Sequence, residues 1–276
     1  MSTILTRTGC CLHSNRQPLY NKATKSTIIV SPEYWEIHDK PFEVLSKSLV
    51  TVSNGNEYII KDNSPISDQG SIGSCVANAW CDALEILMGL EGKVVQLSRV
   101  FAYWIFRDLT GTQHEDAGCY IRAGAQQLTT IGVVDEQYWP YDTTKVFTSP
   151  TTDLYTMASN NRINSFYRIN STEDSKIMDI EKAIRSNHPV VFGTMVGEEL
   201  MNYRGGDGVL EYPQTPLGGH AMIVIGVRII NKQRQFLVRN SWSSNWGNGG
   251  YFWMSEGWIK NPHTDDVWVP TRIKMI

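Results

Sequence analysis

The period of the hydrophobic pattern changes midway along this 276-residue chain, and this change constrains the fold more than any other feature. From Cys75 to Met88, apolar residues recur at i, i+3 and i+4, which predicts a helix buried on one face. Segments 98–109 and 121–130 predict two more helices. Beyond about residue 160, short apolar runs separated by Gly and Asn predict strands. These runs are 189–195, 221–227, 235–239 and 250–254, with one helix predicted at 177–185.

The order of these patterns predicts an α+β protein with a helical lobe at about 65–155 followed by a β-rich lobe at about 156–276. Residues 1–55 show no long helical period, so we interpret them as an N-terminal extension of a domain that covers 56–276.

Composition narrows the possible partners. The chain is 41% hydrophobic and 19% charged, as expected for a packed globular protein, and its formal net charge of −3 offers no general attraction for nucleic acid or an anionic membrane. No window approaches the roughly 18 apolar residues of a membrane helix, and no secretory signal is evident at the start. We therefore expect a soluble protein with neither a nucleic-acid nor a membrane partner.

The cysteines indicate a reducing environment. Cys10, Cys11, Cys75, Cys81 and Cys119 form an odd, sparse set without a CxxC pair or zinc-finger spacing. We expect no metal and no other cofactor, and a cytoplasmic or otherwise reducing compartment. The first 32 residues lack acidic side chains, so import into an organelle stays open as an alternative.

One thiol stands directly at the start of the first predicted helix. The segment 68–75 reads Asp-Gln-Gly-Ser-Ile-Gly-Ser-Cys, which places Cys75 at a helix N-terminus after two glycines. Partial positive charge and unpaired N–H groups at such an end lower a thiol's pKa and can hold an oxyanion, to which Gln69 can also donate. The alternative is a buried cysteine that packs as a small hydrophobe, which is our interpretation of Cys81 and Cys119.

A histidine and an asparagine in the second half can activate this thiol. His220 follows two glycines at the first position of an apolar strand, and Asn240 lies where another strand meets a turn rich in Gly, Asn and Trp. Asn240 can accept the imidazole N–H and so select one tautomer, while Trp242 shields that hydrogen bond from water. Taken singly, His220 is explained as well by a core histidine, and the turn by packing tryptophans.

Together these residues resemble the papain family of cysteine peptidases. The resemblance lies in 69–75, 219–221 and 240–247, with weaker similarity at 132–141, and it extends over roughly 56–276. His220 follows Cys75 by 145 residues (220 − 75), within the family's range of about 130 to 150. Asn240 follows it by 165 residues (240 − 75), an excess that an insertion in the second half would explain.

The resemblance implies a papain-like two-lobe fold, in which a helical lobe and a β-barrel-like lobe face each other across the active-site cleft. It implies an endopeptidase that hydrolyses peptide bonds through a Cys75 thiolate/His220 pair and an acyl-enzyme, with Asn240 and Gln69 as the remaining catalytic residues. The partner would be a polypeptide in extended conformation. Gly73, Gly118 and Trp242 would line its binding cleft.

The chain departs from this family in two respects. Ile72 replaces the cysteine that usually forms a framework disulfide three residues before the nucleophile, and Gly118–Cys119 is the nearest match to the segment that supplies its partner. The backbone segment that aligns the unprimed residues of the substrate is therefore not evident from the sequence. Residues 1–55 lack the usual helical pro-region pattern, but we expect them to bind in the cleft as an inhibitory pro-segment.

Two alternatives to a peptidase stay open at this point. Related acyl transfer by a transglutaminase, an amidase or a deubiquitinase-like enzyme also uses Cys and His, although the Asn240-Ser-Trp motif favours a peptidase. An inactive papain-like binding module would keep the fold without the chemistry.

Overall fold

The computed structural model describes residues 39–272 and, ahead of them, three two-residue strands. These strands are β1 (Cys10–Cys11), β2 (Tyr20–Asn21) and β3 (Ser26–Thr27). β2 and β3 pair with each other in antiparallel fashion, whereas β1 pairs in parallel with a strand of the helical lobe. The rest of the predicted extension before residue 39 lies outside the described residues.

Helices dominate the first lobe and flank the sheet of the second. In chain order they are α1 (Phe42–Ser46), α2 (Cys75–Leu90), α3 (Arg99–Asp108), α4 (Ile121–Thr130), α5 (Thr152–Ala158), α6 (Glu173–Arg185), α7 (Glu198–Met201) and α8 (Glu256–Lys260). Each helix predicted from the sequence is present. The largest difference is at α6, which begins four residues early because Glu173 and Asp174 form an acidic first turn that the helix dipole stabilises. In the described part of the chain, no helix is long and apolar enough to cross a bilayer.

Helix α2 is buried along almost its whole length, not on one face as the pattern predicted. It packs against α3 and α4 on one side and against the sheet on the other. Asp82 and Glu85, which lie outside the apolar stripe, are consequently buried, at 1% and 3% exposure. The prediction was wrong because buried arginines compensate these carboxylates, and a hydrophobic pattern does not register such compensation.

Nine further strands lie within residues 39–272. In chain order they are β4 (Glu57–Ile59), β5 (Cys119–Tyr120), β6 (Ser165–Arg168), β7 (Val190–Val196), β8 (Val209–Leu210), β9 (Gly218–Ile230), β10 (Gln233–Arg239), β11 (Tyr251–Ser255) and β12 (Asp266–Thr271). Among the described residues, one sheet has the order β6-β12-β7-β9-β10-β11-β8, with β4 also paired to β9. β9 begins two residues before His220, because Gly218 and Gly219 already pair with Val196 and Met195 of β7. The helical lobe and this sheet confirm the predicted α+β two-lobe fold.

Residues 39–55 contact the domain closely. Phe42 and Leu45 of α1 join the hydrophobic core, Asp39 accepts an ion pair from Arg122 at 2.8 Å, and the backbone N–H of Val52 donates to a carbonyl at the end of α6. The boundary at residue 55 remains a prediction. The described contacts, however, connect the last third of that extension to both lobes.

Candidate active site

The two lobes meet where segment 67–69 runs beside segment 241–243. Asp68 and Trp242 form an antiparallel bridge, flanked by backbone hydrogen bonds of 2.9 and 3.0 Å between the two segments. This pairing joins the loop that precedes α2 to the turn that follows β10. Residues predicted from motifs far apart in the sequence are thereby brought to one cleft.

Cys75 is the first residue of α2, and its side chain is completely buried in the folded chain. Ser74 precedes it as the N-cap, and its carbonyl accepts hydrogen bonds from both the backbone and the side-chain nitrogen of Asn78, each 3.0 Å long. The first N–H groups of a helix have no intrahelical partner and lie at the positive end of its dipole. Cys75 therefore occupies the position at which a thiolate is favoured.

His220 on β9 and Asn240, which directly follows β10, lie side by side. His220 Nε2 is 2.8 Å from Asn240 Oδ1, and the same oxygen accepts the backbone N–H of Ser241 at 2.8 Å. Because a backbone N–H can only donate, this contact fixes the orientation of the Asn240 amide, and His220 Nε2 must carry the hydrogen. Within the described residues, His220 Nδ1 has no hydrogen-bond partner.

Trp242 covers this histidine–asparagine pair. Its ring stacks on the imidazole of His220, with centroids 4.8 Å apart and planes inclined by 25°. Trp246 meets Trp242 edge-on, and Phe252 meets Trp246 in the same way. These rings form a continuous series of aromatic contacts that begins at His220, and shielding of the hydrogen bond to Asn240 by Trp242 stays a prediction.

Gln69 is fully buried and held by both lobes. Its side-chain oxygen accepts from the Ser241 hydroxyl at 2.8 Å, and its side-chain nitrogen donates to the carbonyl of Ile72 at 3.1 Å. Tyr141 donates to the Gln69 carbonyl at 2.9 Å. The amide is thus oriented with its nitrogen toward the loop that ends at Cys75.

The two glycines predicted to line the substrate cleft are linked through a pair of side chains. Gly73 donates its backbone N–H to Asp116 Oδ1 at 2.9 Å, and Gly118 donates its own to the Tyr103 hydroxyl at 3.1 Å. Gly118 has a φ of 72°, a left-handed conformation that favours glycine, and it leads directly into β5. The structure thus joins Gly73 to Gly118, and His220 to Asn240 and Trp242, whereas the roles of these residues in binding and catalysis stay predictions.

Below the cleft lies a buried ionic cluster that the sequence did not reveal. Arg239 pairs with Asp82 at 3.1 Å and also with Asp62, while Arg99 pairs with Asp82 at 2.5 Å and with Glu85 at 3.0 Å. Burial is the main cause that raises the pKa of Glu85, against the opposing influence of Arg99. Arg239 directly precedes Asn240, so the cluster connects α2 to the strand that carries the site.

Sequence reasoning missed Ser241, Tyr141, Tyr103 and Asp116. Ser241 is adjacent to Asn240 and could have been suspected as a polar neighbour. Tyr103 falls inside a predicted helix and Asp116 in a polar loop, and neither position carries a pattern that links it to Cys75.

No other chemistry is apparent in the described residues. They contain no group of three or more His, Cys, Asp or Glu side chains that could hold a metal ion. Cys75, Cys81 and Cys119 do not form a disulfide with one another.

A buried thiol at a helix N-terminus in the helical lobe and a buried histidine–asparagine pair in the β-rich lobe are the residues that a cysteine-type peptidase requires. Comparison with known proteins makes the class specific. A model of the family "Papain family cysteine protease" matches residues 57–267. The chain belongs to this papain family, and it is a cysteine endopeptidase.

Its relatives come from viruses, plants and bacteria. It is 33% identical over 213 residues to an uncharacterised peptidase C1-like protein of Acanthamoeba polyphaga mimivirus, which covers 73% of this chain and 68% of the relative. It is 27% identical over 201 residues to zingipain-2 of Zingiber officinale, covering 72% and 84% of the two chains.

Solved structures agree with the fold. Xylellain, a cysteine protease from Xylella fastidiosa, superposes with a TM-score of 0.71 at 28% identity, covering 86% of this chain and 92% of xylellain. Procathepsin L 3 of Tenebrio molitor superposes with a TM-score of 0.66 at 18% identity, covering 93% and 83%, and this likeness supports the fold alone.

Proposed function

We propose that this endopeptidase cleaves extended polypeptides with Cys75 as its nucleophile, His220 as general acid and base, Asn240 as the group that orients His220, and Gln69 as an oxyanion donor. One observation carries the proposal. The hydrogen bond between His220 Nε2 and Asn240 Oδ1 leaves Nδ1 as the ring nitrogen that can take the proton of a thiol.

The mechanism follows from these roles. The proton of Cys75 Sγ passes to His220 Nδ1, and the thiolate attacks the carbonyl carbon of the scissile bond. The side-chain nitrogen of Gln69 and the backbone N–H of Cys75 hold the negative oxygen that develops. His220 Nδ1 then protonates the departing amine as the C–N bond breaks. It next removes a proton from the water that hydrolyses the thioester and frees Cys75.

Substitution of three of the four proposed catalytic residues tests their roles. We expect Cys75→Ala and His220→Ala to remove measurable hydrolysis of a peptide substrate, and Gln69→Ala to lower kcat by about 100-fold, the usual effect of losing one oxyanion donor. Cys81→Ala is the matched control, because Cys81 is a buried thiol on the same helix, and it should retain activity.

Mass mapping with an epoxysuccinyl thiol-protease inhibitor gives a second test. The adduct should form on Cys75 and be lost in His220→Ala. An adduct on another cysteine, or none with the chain shortened to begin at Asp39, would contradict the catalytic proposal and favour a binding module.

We also propose that the N-terminal extension, predicted as residues 1–55, is an inhibitory pro-segment bound in the cleft. β1 pairs with β5 in parallel, with Cys10 opposite Cys119, and it also contacts β9, the strand of His220. It is thus adjacent to one strand from each side of the cleft. The complete burial of both Cys75 and His220 in the chain as a whole also supports this proposal.

Removal of this segment should raise activity. Residue 39 is a better starting point than residue 56, because Phe42 and Leu45 belong to the core. We expect the chain that begins at Asp39 to cleave a peptide at least about tenfold faster than the full chain, with an unchanged melting temperature. Equal rates in the two chains would remove the pro-segment proposal and leave the catalytic one intact.

For its location we propose a reducing compartment such as the cytoplasm, without a nucleic-acid partner. The proposal is supported by the odd number of cysteines, the formal charge of −3, and the burial of Cys81, which raises the pKa of that thiol and slows its oxidation. Alkylation of freshly isolated protein without reductant should label five thiols after unfolding. Fewer labelled thiols would indicate an oxidising compartment.

A further inference from the structure

Tyr103 and Asp116 form a continuous hydrogen-bonded bridge between two backbone segments. The Tyr103 hydroxyl donates to Asp116 Oδ1 at 2.5 Å and accepts the backbone N–H of Gly118 at 3.1 Å. The same Asp116 oxygen accepts the backbone N–H of Gly73 at 2.9 Å. Gly73 and Gly118 are 45 positions apart in the sequence (118 − 73), yet two side chains connect them.

Each end of this bridge leads directly into the cleft. Gly73 stands two residues before Cys75, in the loop that sets the start of α2. Gly118 stands immediately before β5, whose backbone pairs with β1, an extended segment of this same chain. β5 therefore presents a backbone edge that accepts an extended peptide. Through Gly118 and Gly73, the bridge fixes the position of this edge relative to the Cys75 thiol.

The surroundings keep the bridge in one arrangement. Tyr103 is completely buried, and burial, followed by the influence of Cys119 and Asp116, raises its pKa far above the ordinary value, so its hydroxyl keeps the proton that Asp116 accepts. The Arg107 guanidinium lies 3.7 Å from the centre of the Tyr103 ring and donates to the carbonyls of Tyr103 and Glu115 at 3.0 and 2.5 Å. Arg107 thus holds the loop of Asp116 against the helix of Tyr103.

We propose that Tyr103 and Asp116 are positioning residues that align the substrate backbone on β5 with the Cys75 thiol. They do not touch the reacting atoms, and they act through Gly118 and Gly73. The proposal rests on the proposed role of Cys75 as nucleophile. It predicts that losing the bridge weakens reaction with peptides that occupy β5 much more than reaction with reagents that have no peptide.

Two alkylating reagents measure this difference on the full chain. Iodoacetamide has no peptide, whereas a tripeptidyl chloromethyl ketone carries residues that would pair with β5. In each case Cys75 Sγ forms a bond to carbon as iodide or chloride leaves. The ratio of the two rate constants, followed by mass spectrometry, cancels the fraction of molecules in which the cleft is open, because that fraction scales both rates.

We expect Tyr103→Phe and Asp116→Ala each to lower this ratio about tenfold, equivalent to about 1.4 kcal/mol of transition-state stabilisation. The double variant should be no worse than either single one, because both changes break one bridge. Asp116→Asn keeps an oxygen acceptor and should restore most of the ratio. Asp116 is exposed, so its replacement leaves the core intact.

Tyr58→Phe is the matched control, since it removes a tyrosine hydrogen bond, to Asn187 Oδ1, that is formed on β4 and is not part of the bridge. A ratio unchanged in both Tyr103→Phe and Asp116→Ala, or lowered equally in Tyr58→Phe, would overturn the positioning role. Failure of either reagent to label Cys75 in the unaltered chain would instead overturn the proposed nucleophile, and the positioning role with it.

Discussion

The two lobes compensate their buried polar groups in different ways. In the helical lobe, the acidic side chains of α2 are paired directly with arginines, as in Asp82 with Arg99. The β-rich lobe contributes Arg239 to this ionic cluster, but several of its other buried polar groups are bonded to neutral groups and indole rings. Trp268 Nε1 donates to Asp266 at 2.5 Å, Trp258 Nε1 donates to Thr194 at 2.8 Å, and Trp242 stacks on His220.

This difference in compensation shows where the fold accommodates buried charge. Paired ions keep a buried carboxylate ionised, at the cost of strict dependence on the partner. Indole donors and aromatic packing keep water out without supplying a charge. The burial of α2 thus depends on complete ion pairs, to which Arg239 of β10 contributes, and the core around His220 depends on a dry environment.

The largest loss of stability is expected when the buried ion pairs of Arg239 are removed. Arg239→Met removes a fully buried guanidinium that pairs with both Asp62 and Asp82, leaving their carboxylates short of positive charge. The free energy of unfolding, measured by urea denaturation, should fall by about 3–5 kcal/mol. Arg228→Met, on the next strand and half-buried, should cost less than about 1 kcal/mol. Equal losses would mean that the cluster is no more than a set of surface pairs.

A smaller effect, on the order of a few kcal/mol, should come from Asp266, a buried acid with no direct ion pair among the described residues. Burial raises the pKa of Asp266 to about 7, against the opposing hydrogen bond from Trp268. The unfolded value is near 3.9, so the folded protein holds this proton more tightly, and stability should decrease as pH rises from about 4 to about 7. Asp266→Asn should flatten this dependence and raise stability at pH 8.

Urea denaturation across this pH range measures the change as the difference between the variant and the unaltered chain. Asp153→Asn, at an exposed position of α5, serves as the control. If both variants follow the same curve, Asp266 is ionised in the folded protein, and the contrast between the lobes disappears.

The smallest effect should come from the indole that shields His220. Trp242→Leu keeps an apolar side chain but opens the His220–Asn240 hydrogen bond to water, so we expect kcat/KM to fall about tenfold in the chain that begins at Asp39, equivalent to about 1.4 kcal/mol. Trp253→Leu, on β11 and beside Arg228, should leave kcat/KM within about twofold. A larger loss of kcat/KM in Trp253→Leu would show that the total aromatic area of the sheet matters more than the position of Trp242 next to His220.

The predictable parts of this protein are those that follow from short segments. Each of these segments can be interpreted from about ten consecutive residues. They are the apolar stripe of α2, the glycines before Cys75 and His220, and the turn after Asn240. The sequence therefore predicted the two lobes and every residue of the catalytic proposal. The prediction that α2 is buried on one face alone was wrong because Asp82 and Arg239, which are 157 positions apart, compensate each other.

Contacts across long sequence distances were beyond reach for the same reason. β4 joins the sheet through β9 far along the chain, so three residues with no alternating pattern become a strand. Tyr103 and Asp116 acquire significance only because the fold brings Gly73 and Gly118 near each other. An isolated sequence gives no signal for a bridge whose ends are both backbone.

The junction of segments 67–69 and 241–243 has a consequence for the protein's targets. Backbone pairing and the Arg239 cluster join the lobes at the base of the cleft, so a hinge there would have to break both. Widening the cleft would therefore cost these contacts, so we expect the target rather than the enzyme to change conformation on binding. We then expect the rate at which a folded protein is cleaved to depend on how often that protein opens a segment of strand length. The cleavage rate would therefore measure local unfolding of the target protein.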